Sequence, residues 1–168
     1  MLKTLILIPS RLSATRLPGK PLLKINGLSI ISQVVKKAQE SKIGETYVAT
    51  EDEEIVEDVE KNGGKAILTS KKHSTGSDRI FECFQKINLK DIDYIINLQG
   101  DEPNIDINDL KHLERLVKKN KPEIGTLASK IKDLSILKNE NIVKVITNKK
   151  LDKNNFPIAL KFQRKVDQ

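Results

Sequence analysis

The segment LKTLILIPSRLSATRLPGKP (residues 2–21) decides the fold. Residues 2–9 form an apolar run of the kind found in a buried parallel strand, because helices cover both faces of such a strand. A loop with two prolines and Gly19 follows at residues 10–21. In parallel α/β sheets, ligands bind beyond the carboxyl ends of the strands. The segment therefore predicts a first strand of an α/β sheet and a loop that faces a ligand.

Short apolar runs and amphipathic helices alternate along the rest of the chain, which is typical of a layered α/β domain. We predict a mixed, mostly parallel sheet with helices on both of its faces. The further predicted strands lie at residues 45–50, 65–69, 94–98, 124–131, 142–146 and 159–162. The predicted helices begin near Ile30 and end at Gly44, span residues 52–62, run from a cap at Ser77 or Asp78 through Ile87, and run from a cap at Asn108 or Asp109 through Val117.

The length and composition suit one domain. The chain has 168 residues and a mass of 18.9 kDa, and 38% of its residues are hydrophobic, which is enough for a packed core. We therefore predict a single domain over residues 1–168. No apolar run reaches the length of a membrane span, so we expect no membrane partner. No helix follows the predicted strand at 159–162, so we expect the domain to be incomplete at its C-terminus.

Cysteine and histidine are too scarce for several kinds of metal site. The single cysteine, Cys83, excludes a disulfide within the chain and a zinc site built from cysteines. The two histidines, His73 and His112, exclude a histidine-rich metal site.

The basic charge balance indicates anionic partners. The formal net charge is +7, which suits nucleotides, phosphosugars or nucleic acid. However, much of the excess is lysine scattered along the chain, and aromatic residues make up only 4%, which leaves few platforms for stacking single strands. We expect no nucleic-acid partner. The apolar stretch at residues 5–8 is too short for a signal peptide, so we expect a cytoplasmic protein.

The loop after the first strand has the side chains of a phosphate site. It carries the cations Arg11, Arg16 and Lys20 and the hydroxyls of Ser13 and Thr15. Arginine supplies a fork of donors and lysine a compact charge, so the set suits a polyphosphate. The loop does not have the GxxxxGK[ST] pattern of a P-loop. The alternative interpretation is a solvated basic loop.

Two further motifs lie at strand and helix ends. LQGDEP (residues 98–103) follows the predicted fourth strand and places Asp101 where a magnesium ligand is expected, although Gly-Asp and Pro are also ordinary turn residues. HSTGSDR (residues 73–79) opens a predicted helix, where free N–H groups, hydroxyls and Arg79 could read the edge of a base. A helix cap alone would explain Ser77 and Asp78, but it would not explain Arg79 in the first turn.

Together, these motifs resemble 3-deoxy-manno-octulosonate (Kdo) cytidylyltransferase, the CMP-Kdo synthetase family. IPSRLSATRLPGKPL (8–22) is similar to the family pattern P-A-R-x-x-S-T-R-L-P-G-K-P-L, HSTGSDR to H-x-S-G-T-[DE]-R, and NLQGDEP (97–103) to N-x-Q-G-D-E-P. NIVKV (141–145) and FQR (162–164) resemble later segments of the family. Members of the family are longer, and we expect this chain to lack their dimer-forming segment, further sugar-acid contacts and a second metal-binding aspartate.

The resemblance implies a Rossmann-like, GT-A-like nucleotidyltransferase fold and a reaction that joins CTP and Kdo to give CMP-Kdo and pyrophosphate for lipopolysaccharide synthesis. It also implies a homodimer in the full-length family and Mg²⁺ as the cofactor. The implied roles are neutralisation of phosphates by Arg16 and Lys20, binding of Mg²⁺ by Asp101, recognition of cytosine by Thr75, Gly76 and Arg79, and contacts to nucleotide or sugar by Arg11 and Gln99. We accordingly expect Arg16→Ala or Asp101→Asn to remove most turnover.

Three other functions are compatible with parts of the sequence. A cytidylyltransferase for another sugar acid, such as a sialic acid, would carry the same nucleotide motifs. An inactive CTP-binding fragment would keep the phosphate loop without turnover. A basic nucleic-acid binder would bind DNA or RNA with a steep dependence on salt.

Overall fold

The computed structural model describes residues 3–13 and 17–165. The chain divides into two compact units, residues 1–114 and 115–168, and each is described by itself below. One domain over residues 1–168 stays a prediction. None of the helices in the described part is both long and apolar enough to span a bilayer.

The elements alternate between strands and helices in the first unit. The strands of the chain are β1 (Thr4–Ser10), β2 (Lys24–Ile25), β3 (Leu28–Ser29), β4 (Thr46–Thr50), β5 (Ala66–Leu68), β6 (Tyr94–Asn97), β7 (Lys144–Thr147) and β8 (Ala159–Gln163). The helices are α1 (Ile30–Ser41), α2 (Glu53–Lys61), α3 (Gly76–Ile87), α4 (Ile107–Asn120) and the short α5 (Ser135–Lys138).

The main sheet has four parallel strands in the order β5-β4-β1-β6. β1 lies in its interior, and Leu5 to Ile8 have no solvent exposure. Ile6 and Ile8 face α1 and α2, whereas Leu5 and Leu7 face α3, because successive side chains of a strand point to opposite faces. Burying each of these side chains stabilises the fold by about 1.5–3 kcal/mol. The predicted α/β class, with helices on both faces, is confirmed.

Two antiparallel pairs lie outside the main sheet. In the first unit, β2 and β3 form a hairpin whose turn residues, Asn26 and Gly27, both have positive φ (53° and 83°). Asn-Gly is a strong signal for such a two-residue turn. In the second unit, β7 pairs with β8, which confirms strands near 142–146 and 159–162.

Lys144 makes two hydrogen bonds at one end of the β7–β8 pair. Lys144 is buried, and its Nζ donates to the carbonyls of Asn139 (2.6 Å) and Arg164 (2.7 Å). The Arg164 guanidinium in turn donates to the carbonyls of Glu140 and Asn141. The 139–141 loop of the second unit is therefore held by cations that donate to its backbone.

Two predictions in this part of the fold are wrong, one of a strand and one of a helix cap. Residues 124–131 form no strand, and Ile124 is 88% exposed. An isolated apolar stretch cannot stay a strand without a partner for its N–H and C=O groups, and the structure records no ladder for this segment. The cap of α3 is Thr75, whose Oγ1 accepts from Asp78 N–H, so Ser77 and Asp78 lie inside the helix.

Helix α4 also begins earlier than predicted. Its first residue is Ile107, and Asp106 Oδ1 accepts from Asn108 N–H at 2.8 Å. The predicted caps, Asn108 and Asp109, therefore lie in the first turn. The side chain that accepts a hydrogen bond from the first turn is Asp106, the acidic residue before the helix, as is usual at helix N-termini.

Candidate functional site

A cleft of about 280 Å³ opens in the first unit at the carboxyl ends of β1 and β6. Its walls come from residues 9–11 and 20–21, from residues 73–79 before and at the start of α3, and from residues 99–101 after β6. Since β1 and β6 are adjacent parallel strands, their carboxyl ends meet at one edge of the sheet. This is the edge at which α/β sheets bind ligands.

Most of the predicted site residues line this cleft. Those in the lining are Arg11, Lys20, Thr75, Gly76, Arg79, Gln99 and Asp101. Ser13 is described but lies outside the lining, and Thr15 and Arg16 fall outside the described residues. The structure therefore brings together the three motifs that are far apart in the sequence, while the roles of the individual side chains stay predictions.

Gly100 allows the loop after β6 to pass close to the end of β1. A Cβ atom at this position would lie 2.9 Å from Pro9 O and 3.2 Å from Ile31 Cδ1. The first contact is with backbone, which cannot move aside without shifting β1. A residue without a side chain is thus required where the Asp101 loop meets the phosphate loop.

Lys20 and Asp101 form an ion pair at the cleft. Lys20 Nζ lies 2.8 Å from Asp101 Oδ2. Lys20 begins a single 3-10 turn, and the preceding Gly19 N–H donates to Leu12 O at 3.0 Å, which ties the residues before Lys20 to the end of the segment at Leu12. Both charged groups are accessible to solvent. A phosphate could therefore contact the Lys20 ammonium, and a cation could contact the Asp101 carboxylate.

The donor set of the cleft fits a metal that arrives with phosphate ligands. Asp101 is the carboxylate of the lining, and Mg²⁺ commonly binds one or two carboxylates together with substrate phosphates and waters. Within residues 3–13 and 17–165, no group of three or more His, Cys, Asp or Glu side chains could hold a metal. Asp101 can thus contribute a ligand, and a complete protein cage is absent from the described residues.

Arg79 is a buried part of the cleft wall. It is only 2% exposed, its Nη1 donates to Thr69 Oγ1 at 2.8 Å, and its Nη2 forms an ion pair with Glu51. Both terminal nitrogens are therefore bonded to the protein. Glu51 is a residue that sequence reasoning missed. The available signal was the acidic run EDEE (51–54) directly after an apolar strand, at the sheet edge where ligands bind.

A second ion-pair cluster supports His73, which lines the same wall. His73 Nε2 contacts Glu82, whose carboxylate also accepts from Lys86 Nζ (2.8 Å) and from the backbone N–H of Ser70 (3.0 Å). The Lys86 ammonium, the Ser70 N–H and His73, in that order of effect, lower the pKa of Glu82 from 4.5 to about 2. The sequence singled out neither His73 nor Glu82 as a functional residue.

We expect Glu82→Gln to change how stability depends on pH. The folded-state pKa of Glu82 is depressed, so its ionised form stabilises the fold above pH 4.5, and this contribution is lost as the pH falls towards about 2. Thermal midpoints of the wild type and Glu82→Gln should differ at pH 6 and converge between pH 4.5 and 2. Glu57→Gln, an exposed glutamate on α2, is the control. A difference that stays constant across this range would contradict the prediction.

The start of the phosphate loop is held by the two acidic side chains that follow β4. Leu12 N–H donates to Asp52 Oδ2 at 2.7 Å, and Ser13 Oγ lies 3.5 Å from Glu51 Oε1, at the outer limit of a hydrogen bond. The structure thus places Ser13 against Glu51 rather than in the cleft lining. Its predicted contact with substrate stays a prediction.

These features define a class of protein, the α/β nucleotide-binding proteins. The cleft lies at the ends of parallel strands, with a cationic loop after β1, a carboxylate after β6 and a helix N-terminus in the opposite wall. A model of the cytidylyltransferase family matches residues 5–166. The chain belongs to the cytidylyltransferase family.

Two curated relatives carry the same name. The chain is 44% identical over 167 residues to 3-deoxy-manno-octulosonate cytidylyltransferase of Thermodesulfovibrio yellowstonii, which covers 96% of this chain and 63% of that protein. It is 44% identical over 144 residues to the enzyme of the same name from Afipia carboxidovorans, covering 85% of this chain and 58% of that protein. The chain therefore spans about three fifths of the length of these relatives.

Solved structures share the fold. The structure of CMP:2-keto-3-deoxy-manno-octonic acid synthetase complexed with CTP superposes with a TM-score of 0.81 at 34% identity, covering 97% of this chain and 64% of that one. A cytidylyltransferase from Leptospira borgpetersenii gives a TM-score of 0.63 at 30% identity, covering 72% of this chain and 51% of that one. A 4-diphosphocytidyl-2C-methyl-D-erythritol synthase, at 13% identity and a TM-score of 0.60, shows likeness of fold alone. These neighbours confirm the nucleotidyltransferase type of fold.

Proposed function

We propose that the chain carries the nucleotide site of an enzyme that transfers CMP from CTP to Kdo and releases pyrophosphate. The observation that carries this proposal is the cleft, in which Lys20 and Asp101 lie 2.8 Å apart beside Arg11 and opposite the start of α3. A cation, a carboxylate and a helix N-terminus around one space suit a triphosphate with its metal. The names of the curated relatives and the CTP complex of the neighbour support the choice of substrates.

The reaction is a displacement at the α-phosphorus of CTP. The anomeric hydroxyl oxygen of Kdo forms the new P–O bond and loses its proton, and the bond between the α-phosphorus and the bridging oxygen breaks to release pyrophosphate. An anionic acceptor must approach an anionic triphosphate, so the enzyme has to position both and offset their charge. Lys20 and Arg11 supply positive charge from the β1 side of the cleft, together with the predicted contribution of Arg16.

Asp101 has the complementary task. Bound Mg²⁺ supplies further neutralisation of the phosphates, and Asp101 is the side chain of the described cleft that would hold it. In the structure, the same carboxylate pairs with the Lys20 ammonium, so Asp101 already holds one cationic group at the cleft.

The opposite wall is the proposed site of the cytosine base. Thr75 caps α3, and Gly76 is the first residue of the helix, so backbone N–H groups of the first turn are available at this wall. A Cβ atom at Gly76 would lie 3.4 Å from Pro9 Cβ and Cγ, which shows how closely the two walls approach. Arg79 stiffens this wall through its bonds to Thr69 and Glu51.

The finer parts of the proposal concern the acceptor, the assembly and the cell. We infer Kdo as the acceptor from the relatives' names, lipopolysaccharide synthesis as the pathway, the cytoplasm as the location, and a homodimer as the assembly of the full-length enzyme. A cytidylyltransferase for another sugar acid would have the same nucleotide cleft, so the choice of acceptor has to be measured.

The direct test is pyrophosphate release from the full chain with Mg²⁺, in a panel of four nucleoside triphosphates and two acceptors, Kdo and N-acetylneuraminic acid. Release only with CTP and Kdo is the expected result. Release with CTP and the sialic acid alone would overturn the choice of acceptor. Absence of release from a chain that binds CTP would overturn the proposal for this chain, and would favour a CTP-binding fragment.

A further inference from the structure

Two consecutive acidic residues at the carboxyl end of β4 each hold a different wall of the cleft. Asp52 Oδ2 accepts from the Leu12 N–H at 2.7 Å, and Leu12 is part of the loop that carries the cations. Glu51 forms the ion pair with Arg79, whose helix, α3, forms the opposite wall. The two contacts join segments 40 and 28 residues away in the sequence.

The end of β4 is a rigid place for such a pair. Thr50, the last residue of the strand, has no solvent exposure, and its carbonyl accepts both from Thr69 N–H (2.7 Å) and from Thr69 Oγ1 (3.0 Å). Its own Oγ1 lies 3.2 Å from the Asp52 N–H that donates to it. These hydrogen bonds fix the backbone that carries Glu51 and Asp52. Each carboxylate therefore has a defined position and can hold its own partner in place.

The Glu51–Arg79 contact is buried on both sides. The side chain of Glu51 is 12% exposed and that of Arg79 is 3% exposed. A buried ion pair is weak evidence for stability, because desolvation offsets the attraction, but loss of one partner leaves an uncompensated charge. Arg79 also donates to Thr69 Oγ1. These two contacts hold the guanidinium at both terminal nitrogens, which suits a side chain that keeps the wall in one position.

We propose that Glu51 and Asp52 are a positioning pair that sets the two walls of the cleft, Asp52 by holding the phosphate loop at Leu12 and Glu51 by holding Arg79 in the base-side wall. The inference deepens the proposed function and rests on it in one respect, the identity of the two walls. Neither residue lines the cleft, so each acts through the group that it holds.

The test separates the two walls by their ligands. Calorimetric titrations of the full chain with inorganic pyrophosphate, CTP and UTP, each with Mg²⁺, are compared for Asp52→Ala, Asp52→Asn, Glu51→Ala and Glu51→Gln. Amide hydrogen exchange at Leu12 and Thr69 is measured by NMR without ligand. Glu54→Ala, which removes an exposed acidic residue from the first turn of α2, is the matched control.

We expect Asp52→Ala to weaken pyrophosphate and CTP together about tenfold, because it removes one hydrogen bond that includes a charged group, and to leave the preference for CTP over UTP unchanged. Asp52→Asn should restore most of the affinity, because its amide oxygen can still accept from Leu12. Glu51→Ala should reduce the preference for CTP over UTP about tenfold and leave pyrophosphate binding nearly unchanged, because the contact of Glu51 with Ser13 in the phosphate loop is 3.5 Å long, at the outer limit of a hydrogen bond. Glu51→Gln, which keeps an acceptor for Arg79, should show a smaller loss of preference and serves if Glu51→Ala fails to fold.

Two results would overturn the proposal. One is a parallel loss of all three ligands in the Glu51 and Asp52 variants, which indicates a general structural role; the other is binding equal to that of the wild type. If the wild type binds no nucleotide, the proposed function fails, and the exchange data still test the pair. Faster exchange of the Leu12 amide in Asp52→Ala and of the Thr69 amide in Glu51→Ala would support the proposed positioning pair. Unchanged exchange rates would overturn the proposal.

Discussion

Replacing Asp101 with asparagine is expected to lower the rate of pyrophosphate release by about 100-fold or more, the size of effect seen when one group that stabilises transition-state charge is removed. Asp101 is the carboxylate in the described lining of the cleft and pairs with Lys20 at 2.8 Å. Asparagine keeps the shape of the side chain but loses the charge that attracts a cation. Because the side chain is 58% exposed, the fold should be unaffected.

The control for this variant is Glu102→Gln, which removes the same charge from the next residue, an exposed side chain outside the cleft lining. Glu102→Gln should keep a rate close to that of the wild type. Raising the Mg²⁺ concentration should restore part of the lost rate in Asp101→Asn, since the variant is expected to bind the metal more weakly. A near-normal rate in Asp101→Asn at low Mg²⁺ would refute the role assigned to Asp101.

Gly44→Ala is expected to destabilise the protein by about 3 kcal/mol or more, at the upper end of the range for overpacked sites. Gly44 lies between α1 and β4, and a Cβ atom there would be 1.8 Å from Thr4 O and 2.8 Å from Thr4 C. Both are backbone atoms of β1, and Thr4 is almost completely buried. The contact can be relieved only by moving the start of β1 away from the loop, which disturbs the pairing of the central strand.

Urea denaturation measures this effect, with the midpoint and the slope fitted together. Gly76→Ala is the control, because a Cβ atom there meets only Pro9 side-chain atoms at 3.4 Å, an ordinary van der Waals distance at its limit. Its midpoint should change little. An unchanged midpoint in Gly44→Ala would show that the loop can move aside at no cost and would contradict the prediction.

The case of Gly44 also shows which part of the fold the sequence predicts. The pattern of apolar residues predicts α1, but we expected Gly44 to end it. The helix ends at Ser41, and Lys42 takes the left-handed conformation with φ 55°. A glycine near a helix end is a common signal for the last turn. Gly44 instead allows the chain to pass close to β1, because it has no side chain. This contact depends on tertiary packing and cannot be predicted from the local pattern.

The strands illustrate a similar limit. The run at residues 2–9 predicts β1 because both of its faces are buried, which gives a continuous apolar signal. Residues 124–131 carry a weaker, interrupted apolar signal and have no partner strand in the described sheets, and pairing is not encoded within one segment. Asn26-Gly27 is a clear local signal for a turn, but each strand of its hairpin is only two residues long, too short to show an alternating pattern.

The candidate site was predictable where one motif follows one strand. The ends of β1 and β6 meet because the strands are neighbours, so the placement of Lys20 near Asp101 follows from the fold class. The partners of Arg79 and His73 were not predictable in this way. Glu51 and Arg79 are 28 residues apart in the sequence. Their contact depends on where the end of β4 lies relative to the start of α3.

The central claim is that the cleft at the ends of β1 and β6 binds CTP, and calorimetric titration of the full chain with CTP, UTP, ATP and GTP in the presence of Mg²⁺ tests it most directly. We predict one CTP site per chain, at least tenfold weaker binding of the other three nucleotides, and loss of most CTP affinity in Lys20→Ala. Absence of CTP binding, equal affinity for all four nucleotides, or CTP binding that is unaffected by Lys20→Ala would contradict the claim.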